Sequence, residues 1–369
     1  MQARPLAEAA PARSEALKRA LQEAWQTRGP LARALWPLAQ LYGALVATRR
    51  WLYAHGIFKS SRLPVPVVVV GNVVAGGGGK TPLVIALVRH LQAQGVHCGV
   101  VSRGYGRAST TCREVLPGMT AAEAGDEPLL IRRATGAAVV VGAERVEAAR
   151  LLLAAHPATD LIVCDDGLQH YRLQRDINIA VFDARGVGNG WLLPAGPLRE
   201  KLAALRPPAT PVSPVRGIDL HLHTSGSAGA SFAGFQSLRR LADTAVAADG
   251  TRVPLASLIG QPLVAIAGIA NPQAFFDMLI QRGLTLQTTL ARPDHHHFEE
   301  EPAPFADGLT ALCTEKDAVK LFAAYPEAGQ RLLAVPLEFV PEPAFFEAFD
   351  ALLAGIRSPL LSGHGHTPS

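Results

Sequence analysis

Short, predominantly apolar runs alternate with amphipathic stretches along the middle of the chain. The runs lie at 65–72, 97–102, 137–143, 160–165 and 177–184, and helical patterns at 81–94 and 143–155 lie between them. Strands that lack polar alternation are covered on both faces, as in a parallel sheet flanked by helices. The pattern predicts a parallel-sheet α/β domain over residues 61–212.

The pattern changes beyond a proline-rich segment at 207–215. Two stretches, 217–226 and 230–241, alternate like exposed antiparallel strands and predict a β connector over 213–256. A strand, a glycine turn and a helix from Pro272 then begin a new α/β unit. We therefore predict a second, smaller α/β domain over 257–358 and a disordered tail over 359–369.

The start of the chain has a different character. Residues 1–28 are rich in Ala, Glu and Arg and predict a poorly ordered extension, whereas 29–60 reads as a helix with apolar residues around much of its circumference. Its uncharged run, 34–48, is 15 residues long, shorter than the ~20 that a bilayer requires. Amphipathic aromatics such as Trp36, with Arg49 and Arg50 nearby, favour a helix at a membrane interface. A helix packed on the protein's own core is the alternative.

Four glycines precede Lys80 at the start of the first predicted helix. Glycine allows backbone N–H groups to close around a phosphate, Lys80 adds a charge, and the Thr81 hydroxyl suits Mg²⁺. The strict P-loop pattern requires glycine where this chain has Val74, so the prediction rests on the order of strand, glycine turn, Gly-Lys-Thr and helix. A flexible linker would not lead into a periodic helix. The predicted ATP-binding residues are Gly76, Gly77, Gly78, Gly79, Lys80 and Thr81.

Two aspartates, Asp165 and Asp166, end a later apolar strand. Open α/β sheets bind ligands at this edge, and a carboxylate there after a P-loop holds Mg²⁺. We therefore assign Thr81, Asp165 and Asp166 to the metal, and expect Gln169 and His170 to face the second substrate. An ordinary pair of turn aspartates is the alternative.

Three further segments carry candidate chemistry. Ser102, Arg103 and Tyr105 end a strand and suit recognition of phosphate or sugar hydroxyls, although a glycine turn explains them equally well. Asp126 and Glu127 begin a helix, where capping is the plain interpretation. The consecutive histidines 295–297 diverge on any regular element, so one histidine oriented by a carboxylate is a better interpretation than a metal cage.

Composition limits the classes of function. The 369 residues have a net charge of +4, about half are hydrophobic, and the four cysteines show no C-x-x-C spacing. These features indicate two ordered domains with free thiols in a reducing compartment and exclude a zinc-ribbon site. The N-terminus shows no apolar core typical of a signal peptide, so we expect a cytoplasmic protein.

The motifs together resemble one family. GNVVAGGGGKTP, SRGYGR, GDEP, DDGLQH, LLPAGPLRE, AIAGIANPQAFF, PDHHHF and TEKDAVK occur in the order and spacing of the tetraacyldisaccharide 4′-kinases. Members of that family are similar in having a displaced first P-loop glycine, here Gly71. The resemblance implies ATP- and Mg²⁺-dependent phosphorylation of the 4′-hydroxyl of a tetraacylated disaccharide 1-phosphate, which gives lipid IVA.

The resemblance also implies roles and a location. Asp126 and His295 would form a catalytic dyad, with His296 as the alternative histidine. Glu127, Arg199 and Glu200 would join the substrate-binding residues. The protein would act as a peripheral monomer on the cytoplasmic face of the inner membrane, with no nucleic acid partner. The expected architecture is a P-loop NTPase-like domain, a β connector, a second α/β domain and an N-terminal interfacial helix.

A P-loop ATPase of the membrane-partitioning type is the rival interpretation, since it also combines a deviant glycine loop with a membrane helix. That class has the pattern K-G-G-x-G-K-T and uses its first lysine across a dimer. This chain has Ala75 at that position, so the charge that acts in trans is missing. A nucleotide-dependent metallochaperone or a small-molecule ligase is a further alternative. ATP turnover that does not need the lipid would favour the membrane-partitioning ATPase.

Overall fold

The computed structural model describes residues 20–76, 78–107, 109–201, 217–224, 233–269, 271–293, 296, 298 and 309–362. The helices, numbered here in chain order, are α1 (Pro30–Ala54), α2 (Lys80–Ala93), α3 (Ala121–Ala124), α4 (Asp126–Thr135), α5 (Arg145–Ala155), α6 (Pro272–Gln281), α7 (Glu315–Ala324) and α8 (Pro343–Ser362). Two 3₁₀ turns, Leu255–Leu258 and Pro326–Arg331, lie in the second half.

The described strands form two sheets. They are β1 (Val67–Gly71), β2 (Cys98–Ser102), β3 (Arg113–Glu114), β4 (Val139–Val141), β5 (Leu161–Asp165), β6 (Ile177–Phe182), β7 (Leu220–His223), β8 (Phe235–Leu241), β9 (Thr244–Val246), β10 (Arg252–Pro254), β11 (Leu263–Ala267), β12 (Leu286–Ala291), β13 (Thr310–Thr314), β14 (Leu332–Val335) and β15 (Leu337–Pro341). The larger sheet has the order β15-β8-β7-β6-β1-β5-β2-β4-β3, and the smaller has β10-β9-β14-β13-β11-β12.

The centre of the larger sheet is parallel, as the sequence predicted. Strand β1 pairs in parallel with β5 and β6, and β2 pairs in parallel with β4 and β5. Every residue of β1 is buried, because helices cover both faces. Helix α2 covers one face with Leu83, Leu87 and Leu91, which recur every four residues and are fully buried. This arrangement places the carboxyl ends of β1, β2, β5 and β6 at one edge.

The smaller sheet confirms a second α/β unit. Its strands β11, β12, β13 and β14 are parallel, and β9 and β10 add antiparallel pairs at the edge. Helix α6 begins at Pro272, as predicted, with the Asn271 side chain accepting a hydrogen bond from the Ala274 N–H. Thr314 caps α7 by accepting a hydrogen bond from the Asp317 N–H.

The predicted connector is divided between the two sheets. Strands β7 and β8 pair in parallel and extend the larger sheet, whereas β9 and β10 belong to the smaller one. The prediction of two exposed antiparallel strands is therefore wrong. Its alternating Leu-His-Leu-His pattern belongs to a largely buried strand, in which the rings of His221 and His223 pack near Phe182.

The chain passes between the sheets twice, at 242–243 and at Pro336. The Ala242 N–H donates a hydrogen bond of 2.9 Å to the Pro336 carbonyl, so the two crossings lie side by side. Strands β8 and β15, which lead into and out of these crossings, pair antiparallel with each other. The larger-sheet domain and the smaller-sheet domain are thus joined by two adjacent strands.

Helix α1 lies against the larger-sheet domain on one face only. Small residues, Ala32, Ala39 and Gly43, form much of the buried face, while large apolar residues point outward, namely Leu31, Trp36, Leu38, Leu41, Leu45 and Trp51. At its end, the Arg50 guanidinium lies 2.5 Å from the buried Glu200 carboxylate. Among the described helices, α1 included, we find none that combines the length and apolar character needed to cross a bilayer.

The extension predicted to be poorly ordered has an ordered end. The Trp25 indole N–H donates to the Pro194 carbonyl at 2.9 Å, and the Asn189 amide donates to the Ala24 carbonyl at 3.0 Å. The buried Asn189 side chain therefore fixes residues 24–28 against the larger-sheet domain, which the charged composition of the segment did not indicate. Residues 1–19 lie outside the described part of the chain, as does the predicted tail from 363 onward.

Candidate active site

The glycine turn leads from β1 into α2 at the carboxyl edge of the larger sheet. Gly79 is the N-cap of α2 with φ +96°, a conformation that favours glycine, and Gly76 has φ +65°. Lys80 is the first residue of α2, and the Thr81 side chain is buried beside it. Backbone N–H groups and a helix N-terminus therefore face a cleft of about 2350 Å³ lined by both domains. Gly77 lies outside the described residues.

Asp165 is the last residue of β5 and is fully buried. Its Oδ2 accepts a hydrogen bond of 3.2 Å from the Ser102 hydroxyl, whereas its Oδ1 has no hydrogen-bond partner among the described residues. Burial raises the pKa of the Asp165 carboxyl to about 7, and the Glu127 carboxylate adds to the rise. Ser102 orients this carboxylate and also lines the cleft, and its predicted part in substrate binding stays a prediction.

Asp166 turns away from Asp165 with a φ of +52°. Its Oδ1 lies 3.7 Å from the Lys80 ammonium and 3.5 Å from the Arg199 guanidinium. Arg199 also donates to the Gln169 side-chain oxygen at 3.3 Å. The adjacent aspartates thus have different surroundings: one is buried beside a serine, and the other faces two cations at the cleft.

The start of α4 lies at the contact between the domains. Asp126 is buried, and its Oδ2 lies 2.9 Å from the Lys320 ammonium of α7. The same ammonium donates to the His296 carbonyl at 3.0 Å. Lys320 belongs to the TEKDAVK motif, but no sequence pattern gave it a role. Glu127, and not Asp126, is among the residues that line the cleft.

Only some of the remaining predicted site residues lie at the cleft. Arg103 and Tyr105 line the cleft with exposed side chains. His170 is partly buried next to several arginines, and burial lowers its pKa to about 4. Glu200 is not among the cleft residues, because its carboxylate is bound to Arg50 of α1. His295 lies outside the described part of the chain, so its place in the dyad stays a prediction.

A carboxylate that the sequence analysis missed also contacts the glycine turn. Asp183, just after β6, accepts a hydrogen bond of 3.2 Å from the Gly78 N–H and is bound to the Arg185 guanidinium at 2.6 Å. Arg185 in turn donates to the Gly76 carbonyl. The run INIAVFDA placed Asp183 at a strand end, which was the signal that could have identified it.

Comparison with known proteins decides the family. The family model described as tetraacyldisaccharide-1-P 4′-kinase matches residues 31–354. The chain belongs to that family. A relative from Polaromonas naphthalenivorans, named tetraacyldisaccharide 4′-kinase, is 60% identical over 350 residues, which cover 95% of this chain and 99% of the relative. One from Acidovorax sp. is 54% identical over 356 residues, 96% of this chain and 100% of the relative, and bears the same name.

A solved structure of this family has the same fold. It is described as an "apo" form of LpxK from Aquifex aeolicus in complex with ATP, and it is 28% identical to this chain with a TM-score of 0.74. The match covers 88% of this chain and 99% of the other. The predicted fold class and the predicted activity, a 4′-kinase of lipid A biosynthesis, are confirmed.

Proposed function

We propose that this kinase transfers the γ-phosphoryl group of ATP, as its magnesium complex, to the 4′-hydroxyl of tetraacyldisaccharide 1-phosphate. The observation that carries the proposal is that Lys80 and Asp166 line the cleft 3.7 Å apart, with Asp165 beside them and Asp126 at the domain contact. Phosphoryl transfer depends on positioning and on neutralising charge at the phosphates. The glycine turn, Lys80 and the N-terminus of α2 can supply both.

The residues at the strand ends fit Mg²⁺. This ion prefers oxygen ligands and is usually held by one or two carboxylates together with substrate phosphates and water. Thr81 offers a hydroxyl, Asp166 a carboxylate at the cleft, and Asp165 a buried oxygen that no described residue satisfies. Consistently, no group of three or more His, Cys, Asp or Glu side chains within the described ranges is arranged to hold a metal by itself. Bound there, Mg²⁺ would neutralise phosphate charge.

Asp126 is our candidate for the general base. As the 4′-oxygen forms its bond to the γ-phosphorus and the bond to the ADP oxygen breaks, the hydroxyl proton passes to a carboxylate. Lys320 holds Asp126 at the domain contact through an ion pair of 2.9 Å. Because Lys320 comes from the smaller-sheet domain, the base is placed only when the domains are together. His295, or its neighbour His296, would share this role as the dyad histidine.

The disaccharide would lie along the edge that carries Arg103, Tyr105 and Glu127, with Gln169 and Arg199 near Asp166. Arginine and hydroxyl groups there suit sugar oxygens and the acceptor's phosphate. His170 remains a candidate contact from the half-buried turn after β5. We do not extend this role to Glu200, whose carboxylate anchors α1.

Helix α1 would bring the kinase to the membrane surface that holds the acyl chains. Its outward apolar side chains include Leu41 and Leu45, which are 59% and 63% exposed. Apolar side chains of this kind on one face of a helix enter the interface between headgroups and acyl chains, and nearby basic residues attract anionic lipid. We propose a monomer bound at the cytoplasmic face of the inner membrane.

Turnover with defined substrates tests the proposal. The purified full chain is incubated with Mg²⁺, ATP and tetraacyldisaccharide 1-phosphate, and both ADP and the bisphosphorylated product are measured. We expect ADP release to need the lipid and to match product formation one to one. ADP release at the same rate without lipid would instead support an ATPase switch. Product formation unaffected by chelation of Mg²⁺ would contradict the metal assignment.

A further inference from the structure

Arg239 of β8 lies beside the glycine turn without being part of it. Its guanidinium Nη2 is 2.7 Å from the position that a Cβ on Gly79 would occupy and 3.9 Å from the position of one on Gly78. Glycine is favoured at 79 by its positive φ, and a Cβ there would also meet Thr224 Cγ2 at 2.6 Å. Strand β8 thus brings a cation to the turn that precedes Lys80.

The guanidinium is largely buried and unsatisfied. Within the described ranges Arg239 makes no hydrogen bond and no ion pair, and its Nε is buried without a partner. Burial lowers the pKa of Arg239, an effect that the Asp183 carboxylate opposes. Asp183 does not satisfy it, because its oxygens are bound to Arg185 and to the Gly78 N–H. The guanidinium is partly exposed at the cleft, so its N–H groups are placed to donate to an anion that enters there.

The neighbouring ring fixes the direction of the guanidinium. Phe339 of β15 is the cross-strand partner of Arg239, and the guanidinium carbon lies 5.8 Å from the centre of its ring. Stacking of this kind restricts a long side chain, and the planar guanidinium then presents paired N–H groups suited to phosphate oxygens. Arg239 also lines the same cleft as Lys80 and Thr81.

We infer that Arg239 is a phosphate-binding residue of the nucleotide site, supplied by β8 from outside the P-loop and directed at the polyphosphate of ATP. The contacts with Gly78 and Gly79 favour the nucleotide over the other phosphate in the reaction, the 1-phosphate of the acceptor. The inference rests on the proposed nucleotide site. Since β8 leads directly into the crossing at 242–243, the same residue also links nucleotide binding to the strands that join the domains.

The adjacent arginine offers a matched control. Arg240 is on the same strand but exposed, and it pairs with Glu338 at 2.6 Å on the surface. We would compare Arg239→Ala and Arg239→Lys with Arg240→Ala and Arg240→Lys in the full chain. Equilibrium binding of ATP without lipid gives Kd, and steady-state kinetics give KM for ATP and for the disaccharide separately.

For Arg239→Ala we expect a rise of about 10- to 100-fold in the Kd for ATP, the range typical of a lost charge-assisted contact. AMP binding and the KM for the disaccharide should change less than about twofold, Arg239→Lys should recover part of the affinity, and both Arg240 variants should bind ATP normally. If Arg239→Ala does not fold, as judged by its unfolding transition, Arg239→Lys and Arg239→Gln carry the same comparison.

Two outcomes would overturn the inference. The first is an unchanged affinity of the Arg239 variants for ATP. The second is a rise only in the KM for the disaccharide, which would show that the anion bound by Arg239 is the phosphate of the acceptor. The ATP affinity of Lys80→Ala shows whether the inference about Arg239 or the proposed nucleotide site is wrong. If Lys80→Ala loses ATP affinity and the Arg239 variants do not, only the role of Arg239 is wrong. If neither loses affinity, the nucleotide site itself is wrong.

Discussion

Two lysine–aspartate pairs differ in position and geometry: Lys80 and Asp166 line the cleft, whereas Lys320 and Asp126 lie at the contact between the domains. Lys80 and Asp166 belong to one domain and stand 3.7 Å apart with Asp166 partly exposed, whereas Lys320 and Asp126 come from different domains, lie 2.9 Å apart and are 10% and 6% exposed. A long, accessible pair can admit a ligand between its partners. A short, buried pair is expensive to break and fixes relative positions. The first pair therefore suits binding of phosphate and metal, and the second suits placement of the base.

Removing the Lys80 charge from the Lys80–Asp166 pair should have the largest effect on catalysis. Lys80→Ala should lower kcat by about 10³-fold or more, because the developing charge on the transferred phosphoryl group loses its cation. The chain should still unfold at a temperature close to that of the wild type, since the Lys80–Asp166 pair is 3.7 Å long and Asp166 is partly exposed. A phosphoryl-transfer assay together with calorimetry measures both. A variant that keeps most of its kcat would contradict the P-loop assignment.

Breaking the Lys320–Asp126 pair should instead lower the stability of the fold as well as the activity. Lys320→Met removes the lysine cation from the buried Asp126 carboxylate, and such changes typically cost about 3 to 5 kcal/mol. Urea unfolding of the full chain provides the measurement. The double variant Asp126→Asn with Lys320→Met should be less destabilised than Lys320→Met alone, since no buried charge is then left uncompensated. Equal stability of Lys320→Met and the wild type would show that the Lys320–Asp126 pair does not stabilise the fold.

A third test separates the membrane helix from the two pairs. Replacing Leu38, Leu41 and Leu45 of α1 by serine should lower partitioning to anionic vesicles by at least about tenfold, because apolar burial in the interface is lost. Turnover of detergent-dispersed substrate should persist. The control replaces Leu116, Ile259 and Ile280, which are similarly exposed elsewhere. Equal flotation of both triple variants would exclude α1 as the anchor.

The smallest effect should come from His170. Burial lowers its pKa to about 4 from an ordinary 6.5, so between these pH values the unfolded chain binds a proton that the folded chain does not. The stability contributed by neutral His170 is present above pH 6.5 and is lost as the pH falls towards 4. Replacement of His170 by Gln should flatten the fall in unfolding temperature across this interval. An unaltered slope would show that His170 does not titrate in this way.

The difference between the pairs also explains what could be predicted from sequence. Lys80, Asp165 and Asp166 could be proposed from sequence because each lies at the end of a strand or glycine turn that its own neighbours in the chain predict. Lys320, Arg239 and Glu200 act through partners that only folding supplies: the Arg50 and Glu200 side chains, for example, are 150 residues apart in the chain. The alternating Leu-His-Leu-His pattern of β7 led to a wrong prediction of an exposed strand for the same reason. The burial of β7 depends on its neighbours β6 and β8 and not on its own pattern.

The most direct test of the account compares two acids on the first turn of α4. Asp126→Asn should lower kcat by roughly 10² to 10⁴ with the Kd for ATP almost unchanged, which is the usual size of a general-base contribution. Glu127→Gln should act mainly on the KM for the disaccharide, because Glu127 lines the cleft and Asp126 contacts Lys320. Retention of more than a tenth of kcat in Asp126→Asn, or a larger loss of kcat in Glu127→Gln, would contradict Asp126 as the base.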